Sequence, residues 1–122
     1  DLLVVYNSGQ GGATYSAVSK RLDVSANLWK DEVTIDANNT GYTHPAVVQL
    51  ASNAAIPNRI ICAFRDKAAG TINIYKSDDK GATYGSLTTI SSNLDENNRL
   101  SLVRSGSTLI LSYHRLLFKK IN

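Results

Sequence analysis

Apolar residues along this chain gather in short runs separated by clusters of Gly, Asn, Asp and Ser. None of the runs recurs at the i, i+3, i+4 spacing of an amphipathic helix. Segments rich in Val, Ile, Thr and Tyr, bounded by turn formers, are how strands are written. The pattern predicts about ten strands. They are Leu2–Tyr6, Thr14–Lys20, Glu32–Ile35, Pro45–Leu50, Arg59–Arg65, Thr71–Lys76, Leu87–Ile90, Leu100–Arg104, Thr108–Tyr113 and Leu116–Ile121. The expected fold class is all-β.

The runs also repeat. "LLVVY" (2–6) corresponds to "IICAF" (60–64) and to "LILSY" (109–113), and "PAVVQL" (45–50) to "LSLVR" (100–104). "WKDEVTI" (29–35) matches "YGSLTTI" (84–90), opening aromatic and closing Thr-Ile. That offset of about 55 residues is close to the ~50-residue period of propeller blades, each a four-stranded antiparallel sheet. Sandwiches have many short strands too, but not a repeating four-strand unit. On this register the chain is part of one β-propeller domain. A partial blade spans 1–35, a full blade 45–90 and a partial blade 100–122, or about two and a half blades. Propellers close with about four to eight blades. The rest is expected from the same longer chain or from other copies, and Asp1 reads as a processed or truncated start.

Between the third and fourth strands of the full blade lies "SDDKGATY" (77–84). It reads Ser-x-Asp-x-Gly-x-Thr-aromatic on Ser77, Asp79, Gly81, Thr83 and Tyr84. A carboxylate at Asp79 can accept backbone N–H groups of the turn it starts. Gly81 supplies a conformation that a Cβ would oppose, and Tyr84 can pack over the blade. A calcium loop needs further oxygen ligands, such as a closing Glu, and none follows. The run is expected to be a structural turn. The first blade holds a worn version, Leu22–Trp29, with Val24 and Ala26 at the Asp and Gly positions and Asp23 one residue out of register.

This motif resembles the Asp-box, or BNR repeat, of the sialidase superfamily. The run "HPAVVQL…NRIICAFRDK…INIYKSDDKGATY" looks like secreted six-bladed glycoside hydrolases such as the exo-arabinanases. The resemblance implies a propeller that acts on carbohydrate, with substrate at the face opposite the Asp-box. Blade topology places two sets of loops on that face. One contains Asp36, Asn38, Tyr42 and His44, then Asp95, Glu96, Asn98 and Arg99. The other contains Asn7, Arg65-Asp66 and His114-Arg115.

Candidate roles follow from residue chemistry. Glu96 is one of two glutamates; the other, Glu32, sits at the edge of a fourth strand. Glu96 is therefore the candidate acid/base, with Asp66 or Asp95 as partner carboxylate. Retaining and inverting glycosidases separate such a pair by about 5 Å or about 6.5–9.5 Å. Arg65 can clamp a carboxylate or a sugar hydroxyl through its fork of donors. His44, held extended ahead of Pro45, Tyr42 as a stacking platform, Arg99 and His114 complete the candidate substrate-binding set. Each of these also has a plain alternative as a solvated or packed loop residue. Trp29, at the aromatic position of the worn motif, is expected to be structural.

Composition narrows the functions. Charged residues make up 19% and hydrophobic residues 43%, the balance of an ordered domain. A net charge of +3, with basic pairs only at Lys20-Arg21 and Lys119-Lys120, is not a nucleic-acid stripe. No apolar run approaches the ~20 residues that span a bilayer. The single cysteine, Cys62, lies inside an apolar run and reads as a buried thiol. Asn38-Asn39-Thr40 is a glycosylation sequon, so Asn38 points to a secreted protein. "NSGQGG" (7–12) joins two strands and so is a loop rather than a phosphate cradle, and neither a zinc spacing nor a Ser-His-Asp arrangement is present. No cofactor or metal is expected. The leading expectation is a glycoside hydrolase acting on an oligo- or polysaccharide. The alternatives are a lectin-like, non-catalytic carbohydrate-binding propeller and a plain interaction scaffold.

Overall fold

The computed structural model describes residues 2–8, 16–37, 42–50, 54–66, 69–91, 99–106 and 108–113, with only the backbone at 42–44 and 91. Ten strands are present among these residues: β1 Leu2–Ser8, β2 Ser16–Asp23, β3 Leu28–Trp29, β4 Val33–Asp36, β5 Tyr42–Gln49, β6 Ile60–Asp66, β7 Thr71–Ser77, β8 Gly85–Ser91, β9 Ser101–Ser105 and β10 Thr108–Ser112. No helix occurs among the described residues. The expected strand Leu116–Ile121 lies outside them.

The strands form two four-stranded antiparallel sheets and one two-stranded sheet. The second sheet is a plain meander, β5-β6-β7-β8. In the first sheet β1 pairs with β2, and β2 pairs along one edge with both β3 and β4. β3 and β4 are therefore one strand position broken at Lys30–Glu32, where the apolar alternation lapses into "KDE". The third sheet is the β9–β10 pair.

β6 shows why this sequence gives these elements. Every residue from Ile60 to Asp66 is buried, so the strand is covered on both faces and reads as a nearly continuous apolar run. β5 begins at Tyr42, three residues ahead of the expected Pro45. It carries Pro45 and a register shift between Thr43 and Ala46. An edge strand tolerates both, because a proline there withholds no ladder donor.

The core lies between the two larger sheets. Ala17 of β2, Ile35 of β4, Cys62 and Phe64 of β6, and Tyr75 of β7 form one cluster, with Val5, Val47 and Tyr84 packed against it. The Phe64 and Tyr75 rings meet edge to face, with centroids 6.4 Å apart, a favoured aromatic geometry. Tyr75 also donates its phenol hydrogen bond to Asp36 of β4. Burial pushes the Cys62 thiol up to about 12, so it packs as a small apolar side chain and is no nucleophile at neutral pH.

Candidate functional site

The two ends of the second sheet differ in character. At one end stands the Ser77–Tyr84 turn, between β7 and β8. Asp79 organises it: its Oδ1 accepts from Ser77 Oγ at 2.7 Å and from the Thr83 amide at 2.9 Å, and its Oδ2 accepts from Thr83 Oγ1. The Gly81 amide donates to Ser77 Oγ at 2.9 Å, and the Ala82 amide to the Asp79 carbonyl at 3.2 Å. Those donors hold the Asp79 carboxyl down at about 2, the hydroxyl of Thr83 contributing most. Every acceptor position of the carboxylate that the turn needs is thus committed to the backbone and its neighbours.

Gly81 sits at φ +85°, and a Cβ there would lie 3.1 Å from Tyr84 Oη and 3.2 Å from Leu3 Cδ1. The positive φ favours glycine, and a Cβ would need both neighbours to give by a few tenths of an ångström. Tyr84 leaves the turn toward the first sheet and donates to Ser19 Oγ at 2.9 Å. Arg59, just ahead of β6, grips Asp78 with two hydrogen bonds of 2.6 and 2.9 Å. This end of the sheet is a knot of side chains that ties β6, β7, β8 and β2 together.

The Leu22–Trp29 turn of the first sheet is built another way. Asp23 Oδ1 accepts from Ser25 Oγ at 2.7 Å and from the Ala26 amide at 3.1 Å, which lowers its carboxyl. Asn27 takes the left-handed conformation at φ 48°. The out-of-register aspartate therefore caps a shorter, exposed turn, and Trp29 is 46% exposed.

At the opposite end of the second sheet the strand register brings candidate residues together. Tyr42 pairs with Asp66 and Thr43 with Arg65, and Asp66 also pairs with Thr71. Tyr42, His44, Arg65 and Asp66 thus share one sheet edge, with Tyr42 and His44 inside a strand and not in a loop. Arg65 is 2% and Asp66 6% exposed, more buried than residues at a strand mouth are expected to be. Asp66 Oδ1 accepts from the Ala69 amide at 3.1 Å, and its carbonyl accepts from Gly70 at 2.9 Å. The carboxylate closes the β6–β7 connection.

Arg99 is exposed and precedes β9, the strand whose Arg104 donates to the Gln49 carbonyl at the end of β5 at 3.2 Å. Asn38, Asp95, Glu96 and His114 lie outside the described residues. Two features went unread in the sequence. Tyr6 donates to Glu32 across the first sheet, an acceptor that raises the phenol to about 12. Tyr75 reaches Asp36. Both link residues far apart in the chain, and an aromatic in a strand carries no sign of its distant acceptor.

Among the described residues no group of three or more His, Cys, Asp and Glu could hold a metal ion, and no helix is long and apolar enough to cross a membrane. A cleft of about 350 Å³ opens on the side of the Ser77–Tyr84 turn, between Leu2, Leu3, Arg21, Ile60 and Lys80. It does not touch the Tyr42–Asp66 edge. No protein-family model matches the chain, and no curated protein matches it either.

Proposed function

We propose that this chain is part of a sialidase-superfamily β-propeller, a secreted glycoside hydrolase acting on an oligo- or polysaccharide. The observation that carries the reading is the Ser77–Tyr84 turn. Each of the five motif positions has a task there: Ser77, Asp79 and Thr83 hydrogen-bond one another, Gly81 takes the left-handed conformation, and Tyr84 anchors to the neighbouring sheet. Three donors from its own turn engage the Asp79 carboxylate, a structural use of the motif that supports looking for substrate at the other end.

On this reading Glu96 is the acid/base, with Asp66 or Asp95 opposite it. Arg65, His44, Tyr42, Arg99 and His114 hold the sugar. Exchange of Glu96 for Gln removes general acid/base catalysis, worth ~10²–10⁴-fold. The test is turnover of aryl glycosides and arabinan by the intact protein. Hydrolysis that Glu96→Gln lowers by that factor, with glycan affinity kept, supports the hydrolase.

The Asp66–Ala69 hydrogen bond favours a second reading, a lectin-like propeller without catalysis. A carboxylate engaged by the backbone of its own connection is a weaker partner for Glu96. Saturable glycan binding by calorimetry, with no turnover and no effect of Glu96→Gln, selects that reading. Neither turnover nor binding rejects both.

A further inference from the structure

Asp36 ends the outer strand of the first sheet, and that strand is irregular at this point. β4 pairs with β2 through Val33↔Ser19 and Thr34↔Val18, then steps to Asp36↔Ala17, with a register shift between Ala17 and Val18. Ile35 is the extra residue of the step. Side chains along a regular strand alternate between faces, yet two consecutive residues here turn toward the second sheet. Ile35 joins the core cluster that contains Tyr75, and Asp36 accepts from the Tyr75 hydroxyl. A bulge re-aims a side chain in this way.

β5 has a matching irregularity. Its ladder to β6 runs without a break from Gln49↔Ile60 to Ala46↔Ala63, then shifts before Thr43↔Arg65 and Tyr42↔Asp66. Those last pairs carry the candidate edge. A short stretch beyond a shift holds little by itself, because ordering each residue costs backbone entropy. The chain enters it from Asp36 through residues 37–41. The Tyr75 hydroxyl therefore ties the start of that connection to the second sheet.

We propose that Tyr75 and Asp36 are positioning residues for the Tyr42–Asp66 edge. Their hydrogen bond fixes the bulged end of β4, and the connection leaving it delivers Tyr42 and Thr43 into register with Asp66 and Arg65. A hydrogen bond is directional, so it sets an orientation that apolar packing at 36 and 75 would leave open. What the edge binds rests on the sugar-directed reading; that the pair sets its register does not.

The experiment compares Tyr75→Phe, Asp36→Ala, Asp36→Asn and the double variant Tyr75→Phe/Asp36→Ala in the full chain. Tyr75→Phe keeps the ring that meets Phe64 edge to face, and Asp36→Asn keeps an oxygen acceptor. In Tyr75→Phe and Asp36→Ala, hydrogen exchange across the Tyr42–Asp66 and Thr43–Arg65 pairs should quicken ~3- to 10-fold, the range of one lost hydrogen bond. The pairs from Ala46–Ala63 to Gln49–Ile60 stay as in the parent. Asp36→Asn keeps parental exchange, and the double variant is no faster than either single one. Arabinan affinity, by calorimetry, falls in the variants that quicken exchange and is kept in Asp36→Asn. Should Asp36→Ala fail to fold, Tyr75→Phe against Asp36→Asn carries the comparison. Exchange that quickens equally along all of β5, or not at all, overturns the proposal. So does an Asp36→Asn variant that exchanges as fast as Tyr75→Phe. A parent that binds no arabinan, or variants that bind it unchanged, beside local quickening, would reject the sugar reading of the edge and leave the positioning role supported.

Discussion

The two larger sheets are built from one pattern and end up in different states. The second has four complete strands, and its β6 is buried from end to end. The first has four strands by count but three by position, since β3 and β4 share the outer edge of β2. Its β1 leaves Leu2 at 52% and Val4 at 37% exposure. The turns differ likewise. Asp79 gathers a serine, a threonine and two amides into a knot, through Ser77 for the Gly81 amide, and Tyr84 then ties that knot to Ser19. Asp23 holds one serine and one amide, with Lys30 at 3.6 Å outside, and Trp29 stays half exposed. The pattern specifies the same strands twice, but burial on both faces, and a turn that reaches across to the next sheet, arise only where neighbours cover the strand.

The largest expected break in this comparison comes from the core. Phe64→Ala should cost ~3–5 kcal/mol in urea unfolding, because Phe64 is fully buried. Tyr6→Ala at the matching position of β1 should cost clearly less, since Tyr6 is only half-buried. Equal losses would mean that the sheets are equally covered. Next comes the glycine. Gly81→Ala forces a Cβ into the left-handed region and against Tyr84 and Leu3, a strain of ~1–3 kcal/mol. Ala26→Gly in the other turn should cost only ~0.4–1 kcal/mol through unfolded-chain entropy. Thermal unfolding of both variants measures the difference.

Tyr84→Phe removes the hydrogen bond to Ser19 and should cost ~1 kcal/mol. Trp29→Phe, exposed and without such an anchor, should stay within ~0.5 kcal/mol. The smallest effect is on pH dependence. The Asp79 carboxyl is depressed from 3.8 to about 2, so its contribution is fully present above the unfolded value and fades as pH falls toward 2. Asp79→Asn should flatten that acid limb more than Asp23→Asn does. Acid titration of the melting temperature of each variant against the parent checks this.

How far the sequence carried the fold can be argued from single elements. β6 was legible because an apolar run covered on both faces leaves no polar gaps, and β7 because Ile72 and Ile74 alternate with polar residues. β5 was placed late because Pro45 masked Tyr42–His44, and only pairing to β6 shows that an edge strand absorbs a proline. β3 was missed because Leu28–Trp29 looked like the tail of a turn. The worn turn was recognised as different, but its solution, an aspartate one place early with Asn27 left-handed, depends on backbone angles that residue types only permit. The candidate site was legible as an edge, since alternation of connections brings Tyr42, Arg65 and Asp66 to the same end. The burial of Arg65 and Asp66 was not, because it depends on what packs over the sheet. Neither were the Tyr6–Glu32 and Tyr75–Asp36 links, because they join positions whose proximity the fold alone creates.

The central claim is that β1 and β6 are equivalent strands: among the described residues β1 is paired along one edge and β6 along both. Residue-resolved hydrogen exchange on the free chain tests it most directly. The account predicts alternation along Leu2–Ser8, with every second amide exchanging quickly, and uniform slow exchange along Ile60–Asp66. Uniform protection along Leu2–Ser8, or alternation along both strands, would contradict it.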